Sequence, residues 1–458
     1  MPQDRGPRER VLVRGVEDSN LRPGKPHHAS LRSETDRTVL VQIEKPVYGG
    51  AFLARDDGKA IFVPLALPGE QVRVRLVEEK RGYATAEIEE LVITAPERIV
   101  PGCPHFGPCG GCQYQHAGHE TQLQIKQAVL RETLERGGIH VADDVTVLAG
   151  DPWGYRNRIR LAFDAAGDPG YRGRRSHTVV PIRECPIAAQ LLVRAAVAAG
   201  ELLKSSAPAL RATELALFCN ADETALLLTL FVASPAKIRF DEFAVALRTR
   251  IPQLAGAELV FETAHQPSRT LARWGATSIQ YRAAGAEYRV DHGAFFQVNR
   301  CLVDALVEQV TSGPGGTLAW DLFAGVGLFA RRLAASFHRV VAVESSPAAI
   351  AALEANLAGT TGAAVRASTV EFLRRNRTGG RPDLVVVDPP RTGLGAEITA
   401  LLVAIGPPAL VYVSCDPATL ARDLKQFLAA GYAMQSIALV DLFPQTFHLE
   451  TVVRLHRA

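Results

Sequence analysis

The sequence predicts an α/β protein: a C-terminal, mostly parallel sheet with helices on both faces, preceded by a small β-barrel and an α+β middle region. Three observations carry that expectation. From Leu318 onward, short apolar strands alternate with helical stretches, the pattern that packs as a doubly wound sheet. Between Thr38 and Val92, strand-like runs are separated by glycine and proline turns. The 458 residues also exceed what one hydrophobic core fills, since cores stop growing at about 250–300 residues.

The first segment, residues 1–37, mixes Pro, Gly, His, Arg and acids without periodicity and reads as a flexible arm. Residues 38–95 follow as the barrel. Its strands run through Val39–Val47, Lys59–Val63, Gln71–Val77 and Tyr83–Leu91, with turns at Gly49-Gly50, Asp57-Gly58 and Pro68-Gly69. Such a barrel has an exposed face suited to single-stranded or looped RNA. Residues 96–285 form the middle region, with a helix over Thr121–Arg136, further helices near Ile187–Leu203 and Phe240–Arg248, and strands near Arg158–Phe163, Glu214–Phe218 and Ala225–Phe231.

Residues 286–458 carry the parallel sheet. Strands Leu318–Leu322, Arg339–Glu344, Leu384–Val387 and Ala409–Ser414 each lead into a helix. The end differs: Met434–Val440 and Leu449–Leu455 are joined by a loop too short for a crossover helix, so they pair antiparallel and one edge strand is reversed.

Composition narrows the class. With 47% hydrophobic and 22% charged residues the chain buries real cores, which excludes global disorder. No apolar run approaches about 18 residues and the first 30 residues hold scattered charges, so a cytoplasmic protein without membrane contact is expected. A net charge of +3 is too small to impose nucleic-acid binding globally. Locally, Arg156, Arg158, Arg160, Arg172, Arg174, Arg175 and Arg183 against Asp164, Asp168 and Glu184 leave a balance of +4, enough to grip phosphates or merely to solvate a sheet face.

Several motifs sit at strand ends. Asp321-Leu-Phe-Ala-Gly-Val-Gly327 lies where the first strand meets a helix, and Gly325 and Gly327 let the backbone turn under a ligand. It lacks the third glycine of the dinucleotide fingerprint. Glu344, closing the second strand, can accept both ribose hydroxyls, and S-adenosylmethionine fits better than a dinucleotide. Asp388-Pro-Pro-Arg391 follows the strand at 384–387 with its backbone held extended by two prolines. In Ser414-Cys-Asp-Pro417 a thiol stands before a helix whose dipole is expected to lower its pKa.

Seven cysteines are present. Cys103, Cys109 and Cys112 bend a short Pro- and Gly-rich segment around one centre, and Cys185, followed by Pro186, supplies a fourth thiol. By spacing alone the set suits zinc or an iron–sulfur cluster. Cys219 and Cys301 read as buried apolar residues.

Taken together, Gly293-Ala-Phe-Phe-Gln-Val-Asn299, the Asp321–Gly327 loop, Asp388–Arg391, Ser414–Pro417 and Phe443-Pro-Gln-Thr-Phe-His-Leu-Glu450 resemble the RNA uracil-5 methyltransferase family that modifies ribosomal and transfer RNA. Upstream, Gly49-Gly-Ala-Phe52, Phe62-Val-Pro64 and Leu67-Pro-Gly69 resemble the TRAM barrel of its ribosomal branch, so the likeness spans residues 38–458. The resemblance implies a Rossmann-like methyltransferase domain with a mostly parallel seven-stranded sheet, Cys415 as the nucleophile toward carbon 6 of uracil, and Glu450 as the base that takes the carbon 5 proton. It also implies that Gln297, Phe323, Leu328, Glu344 and Asp388 surround S-adenosylmethionine or the target base. Leu328 stands where many relatives carry an amide, so only its backbone is available to the cofactor.

The resemblance further assigns Cys103, Cys109, Cys112 and Cys185 to a 4Fe-4S cluster, whose four protein ligands leave no open iron for radical chemistry. Chemistry asks independently for the thiol and the carboxylate. Carbon 5 of uracil is too weak a nucleophile until a thiolate adds at carbon 6, and the methylated adduct needs a base to shed its proton. The base must leave its stack, which favours a loop in structured RNA, with Phe295, Phe296 and Phe447 as candidate pocket walls, His448 as a candidate orienter of Glu450 and Arg391 as a phosphate contact. A 23S ribosomal RNA substrate and a monomeric enzyme are expected. Alternatives are a transfer RNA substrate, methylation of an exocyclic amine with Cys415 a bystander, and a non-catalytic RNA-binding assembly factor.

Overall fold

A computed structural model of the chain describes residues 37–141, 145–205, 210–234, 239–263 and 266–457. The expected arm, apart from Arg37, lies outside the described residues. Strands β1 (Thr38–Val47), β2 (Ala51–Asp56), β3 (Lys59–Pro64), β4 (Gln71–Glu79) and β5 (Tyr83–Ile93) close a barrel in the order β1-β2-β3-β5-β4. Two-residue alternation builds it: Val72, Val74 and Leu76 of β4 are buried, while Arg73 and Arg75 meet Glu90 and Glu87 of β5 at 2.9 and 2.8 Å.

The middle region supplies α1 (His119–Arg136) and β6 (Thr146–Leu148), then β7 (Arg158–Phe163), β8 (Pro169–Arg172), β9 (Val179–Pro181), α2 (Gln190–Ser205), β10 (Ala212–Cys219), β11 (Leu226–Val232), α3 (Phe240–Arg250), β12 (Leu254–Thr263) and β13 (Gln266–Gly275). Strands β7 to β13 form a sheet in the order β13-β12-β11-β10-β7-β8-β9. Leu191 and Ala195 of α2 and Leu247 of α3 pack with Leu215, Leu217 and Leu228 of this sheet.

A hairpin follows, β14 (Ser278–Ala283) and β15 (Ala286–Asp291), then α4 (Val303–Thr311). The expected boundary between 285 and 286 falls in the turn of this hairpin. Tyr281 and Tyr288 from its two strands share a core with Leu328 and Leu353, so both strands pack on the C-terminal sheet. That sheet is built from β16 (Gly316–Leu322), α5 (Leu328–Leu333), β17 (Phe337–Glu344), α6 (Pro347–Leu357), β18 (Gly362–Arg366), α7 (Thr369–Arg375), β19 (Leu384–Val387), α8 (Gly395–Ile405), β20 (Ala409–Ser414), α9 (Pro417–Ala429), β21 (Tyr432–Val440) and β22 (Thr451–Arg457).

Its strand order is β18-β17-β16-β19-β20-β22-β21-β6. Two points differ from expectation. The reversed strand, β22, is not at an edge but lies between β20 and β21, antiparallel to both. Seven strands come from the C-terminal region as expected, and an eighth, β6, arrives from upstream to pair parallel with β21. The insertion of β22 is what brings the chain's end back to the strand that carries the thiol. Alternate residues serve opposite layers: Val411 and Val413 face α4 to α6, whereas Leu410 and Tyr412 face α7, α8, α9 and also α1. Helix α1 thus packs on the C-terminal sheet, and a Cβ on Gly137 at its end would lie 2.7 Å from Ala421 of α9.

Candidate active site

The loop after β16 turns through left-handed backbone at Phe323 (φ 66°), Gly325 (φ 56°) and Gly327 (φ 89°). At Gly327 the space matters too, because a Cβ would stand 2.7 Å from the Leu353 side chain. Glu344, ending β17, holds this loop: its Oε2 accepts from the Gly325 N–H at 2.8 Å and its Oε1 from the Ser345 and Ser346 N–H groups at 2.7 and 2.6 Å. Leu328 turns its side chain into the core, and its carbonyl accepts from the Tyr288 hydroxyl at 3.2 Å.

Asp321, the penultimate residue of β16, is fully buried; it opens the loop motif, where the sequence gives it no role of its own. Its Oδ2 accepts from the Ala330 N–H at 2.9 Å, and its Oδ1 has no partner among the described residues. Burial pushes its carboxyl up to about 8, with the Ala330 N–H opposing and Asp388 and Glu344 reinforcing the shift. The signal that could have found it is an acid one residue inside an otherwise apolar parallel strand.

Three strand ends bring together Cys415 and Glu450, the expected nucleophile and base, with Asp388. Ser414, the last residue of β20, pairs directly with Thr451, the first of β22, in the antiparallel register. Cys415 and Glu450 are the next residue on each strand, so the ladder delivers them side by side although 35 positions separate them in sequence. Asp388 enters from the end of β19 and accepts a long 3.4 Å hydrogen bond from Gln297 Nε2.

The site is electrostatically crowded. Burial pushes the Cys415 thiol up to about 12, and Glu450 and Asp388 add to the rise while Arg391 opposes it. The helix dipole expected to lower this pKa is outweighed, because burial and two acids disfavour the thiolate. Burial also raises Glu450 well above the carboxylate range, with Asp388 adding to it, and lifts Asp388 to about 7. Arg391 donates from Nη2 to His448 at 3.1 Å, and burial, with Arg391 next, pushes His448 down to about 3. His448 is therefore a neutral acceptor for Arg391, and among the described residues it makes no hydrogen bond to Glu450 of the kind expected of an orienter. Of the aromatic candidates, Phe296 belongs to the core against Tyr281 at 4.4 Å, Phe295 is 57% exposed, and Phe447 packs between Tyr48 and His448.

The barrel reaches this site. Tyr48, in the β1–β2 turn, donates its hydroxyl to Asp416 Oδ2 at 3.0 Å, while Asp416 Oδ1 caps α9 through the Ala418 and Thr419 N–H groups.

Cys103, Cys109, Cys112 and Cys185 line one cavity together with Phe106, Tyr171, Ile182 and Ile187, and none is in a disulfide. Among the described residues no three His, Cys, Asp or Glu side chains could hold a metal ion. The residue types are those of a thiolate-bound group, but the side chains as they lie are not gathered round one centre: the four thiols line a cavity that also takes in Arg156 and Glu184, and the Gly111 N–H points at Cys109 Sγ at 3.4 Å. Burial raises all four thiols, Cys112 to about 12, so a bound metal centre would displace their protons. The cysteine segment grips the arginine-rich strands through backbone bonds, Gly110 N–H to Arg172 O at 3.0 Å and Arg174 N–H to Pro108 O at 3.1 Å. Cys219 is buried as expected, but Cys301 is exposed.

The arginines are less free than their count suggests. Arg158 donates to the Ala294 carbonyl, Arg160 pairs with Glu214 and Glu262, and Arg172 pairs with Glu214. Carboxylates from β10 and β12, distant in sequence, neutralise part of the expected patch.

Comparison with known proteins decides the family. Residues 380–458 match the tRNA (Uracil-5-)-methyltransferase family model and residues 32–88 match the TRAM domain model. A 23S rRNA (uracil(1939)-C(5))-methyltransferase RlmD of Klebsiella pneumoniae subsp. pneumoniae is 33% identical over 450 residues, 94% of this chain and 98% of that protein. The chain belongs to the RNA uracil-5 methyltransferase family. An uncharacterized RNA methyltransferase of Streptomyces avermitilis is likewise 33% identical, over 91% of this chain and 98% of its own length. In fold the chain is similar to the Pyrococcus abyssi tRNA (uracil-54, C5)-methyltransferase solved with S-adenosyl-L-homocysteine, with TM-score 0.72 at 24% identity, covering 91% of this chain and all of that one.

For a uracil-5 methyltransferase the matched segments are well chosen by chemistry. The family model covers Asp388, Arg391, Cys415 and Glu450, and the TRAM model covers the barrel turn that carries Tyr48. Neither covers the four cysteines.

Proposed function

We propose that the protein transfers the methyl group of S-adenosylmethionine to carbon 5 of one uridine in structured RNA, with 23S ribosomal RNA as substrate, through a covalent adduct on Cys415. The observation that carries this is the Ser414–Thr451 register, which puts a thiol and a buried carboxyl at one strand end beside Asp388. The Cys415 thiolate, its proton passed to solvent as the cationic sulfonium arrives, bonds to carbon 6. The C5=C6 electron pair moves toward O4 and carbon 5 attacks the methyl carbon, whose bond to sulfur breaks to release S-adenosylhomocysteine. Glu450, which must first have lost its own proton to solvent, then takes the carbon 5 proton, the C5=C6 bond re-forms, and the thiolate leaves.

Gln297, Phe323, Gly325, Gly327, Glu344 and Asp388 are the proposed contacts to cofactor and base, with Leu328 contributing its backbone alone. Cys103, Cys109, Cys112 and Cys185 are the proposed ligands of a 4Fe-4S cluster, which when bound supplies a cross-link between the segment at Cys103 and the strands before Cys185. Domains are proposed at 38–95, 96–277 and 278–458, with the last boundary moved ahead of the hairpin. A monomer working in the cytoplasm on ribosomal RNA fits this reading, and no helix among the described residues is long and apolar enough to cross a membrane.

The test is 5-methyluridine mapping in total RNA from cells lacking the gene, complemented by the wild type or by Cys415→Ala. One 23S uridine should regain its methyl group with the wild type only. A methyl group restored on a transfer RNA would move the substrate, and restoration by Cys415→Ala would favour methylation of an exocyclic amine.

A further inference from the structure

Gln113 follows Cys112 directly and bridges two parts of the molecule. Its Nε2 donates to the Gly110 carbonyl at 2.9 Å, inside the Cys109–Cys112 turn, and its Oε1 accepts from the Phe447 N–H at 3.4 Å, three residues before Glu450. The backbone N–H groups of Gln113 and Tyr114 both donate to the Gln445 carbonyl, at 2.9 and 3.0 Å. Gln445 is a non-glycine residue at φ 68°, a conformation that persists only where its surroundings enforce it. Gln122 of α1 completes that enforcement with two hydrogen bonds, its Nε2 donating to Gln445 Oε1 and its Oε1 accepting from the Gln445 N–H, each at 2.9 Å. The barrel closes from the other side, where a Cβ on Gly50 would stand 3.1 Å from both Gln113 Cγ and Phe447 Cδ1.

We propose that Gln113 is a positioning residue that couples the four-cysteine segment to Glu450, so that removal of the carbon 5 proton depends on how firmly the thiol cavity is held. The inference rests on the reading of Glu450 as the base. The bridge touches the loop that carries Glu450 and makes no bond to Cys415, so adduct formation and adduct release should respond differently to its loss.

The experiment uses the full-length protein as purified anaerobically, substrate RNA and methyl-labelled S-adenosylmethionine, and follows the denaturant-stable protein–RNA adduct through one turnover. Gln113→Leu removes both side-chain bonds at similar volume, whereas Gln113→Glu keeps an acceptor for Phe447. Gln113→Leu should form adduct at close to the wild-type rate and release it about tenfold more slowly, so methylated adduct accumulates. Gln113→Glu should release faster than Gln113→Leu. Hydrogen exchange at 445–450 should quicken in Gln113→Leu and in Cys112→Ala, which loosens the cysteine segment beside Gln113.

Glu450→Gln, run alongside, separates the two readings. It should accumulate methylated adduct strongly, and if it does not, Glu450 is not the base. If it does, yet Gln113→Leu slows formation and release equally or releases at the wild-type rate, the coupling is wrong. Unchanged exchange at 445–450 in both Gln113→Leu and Cys112→Ala would overturn it as well. Should Gln113→Leu fail to fold, the same two phases in Gln113→Glu decide: slower release alone supports the coupling, and equal slowing overturns it.

Discussion

Cys415 rests in the wrong protonation state for a nucleophile. With its thiol pushed up to about 12 by burial, Glu450 and Asp388, almost none is thiolate at neutral pH. Alkylation of Cys415 by iodoacetamide should therefore rise about tenfold per pH unit from 6 to 9 without a plateau. Glu450 is itself raised well above the carboxylate range, so Glu450→Gln should leave alkylation unchanged where Glu450 holds its proton and speed it only toward the alkaline end of the series; no acceleration at any pH would mean that no Glu450 charge acts on the thiol. Asp321 makes a second residue-level prediction. A carboxyl raised from 3.8 to about 8 holds its proton in the folded state and loses it in the unfolded one, so its contribution to stability is present below about 4 and declines as pH rises toward 8. Asp321→Asn, a neutral isostere that keeps the acceptor for Ala330, should flatten that decline in a thermal-unfolding series across pH. Asp321→Ala should instead cost about 1–3 kcal/mol by leaving the Ala330 N–H without its partner.

At the scale of elements, the loop between β21 and β22 is anchored by a buried ion pair, Lys126 Nζ to Asp441 Oδ1 at 2.6 Å, with Lys126 also donating to the Phe443 carbonyl and His119 to Asp441 Oδ2 at 2.8 Å. Lys126→Met leaves a carboxylate buried with one fewer partner and should destabilise the protein by about 3–5 kcal/mol in denaturant titration, with Asp441→Asn added to it recovering part of the loss. Sequence reasoning found the strands of this sheet from their apolar runs, yet read β22 as an edge, because a run such as Val452–Leu455 records burial and not which neighbours supply it. It passed over β18 and α7, which are short and carry few strongly apolar residues. Motifs locate Cys415 and Glu450, whereas the rise in the Cys415 pKa is not legible in the sequence, because burial and, after it, acids just beyond the ends of β19 and β22 cause it. The same blindness to remote partners overstated the arginine patch, since Glu214 and Glu262 cannot be seen as neighbours of Arg160 in a one-dimensional chain.

Across the whole molecule, barrel, cysteine segment and catalytic sheet converge on the loop at 441–450: Tyr48 reaches Asp416, Gly50 and Gln113 abut Phe447, and Tyr155 donates to the Pro444 carbonyl at 3.0 Å. Arg174 and Arg175, beside the cysteine segment in an open cavity, have no salt-bridge carboxylate among the described residues, unlike Arg160 and Arg172 of the same cavity. Replacing both by Ala should weaken RNA binding and reduce the slope of log affinity against log salt by up to about 2, while S-adenosylmethionine affinity stays unchanged. The most direct measurement of the central claim uses RNA carrying 5-fluorouridine at the target position, since fluorine at carbon 5 cannot leave as a proton. After incubation with S-adenosylmethionine, peptide mass mapping should find Cys415 joined to a methylated fluorouridine in a complex that does not turn over. An adduct on another residue, or full binding with no adduct at all, would contradict the account.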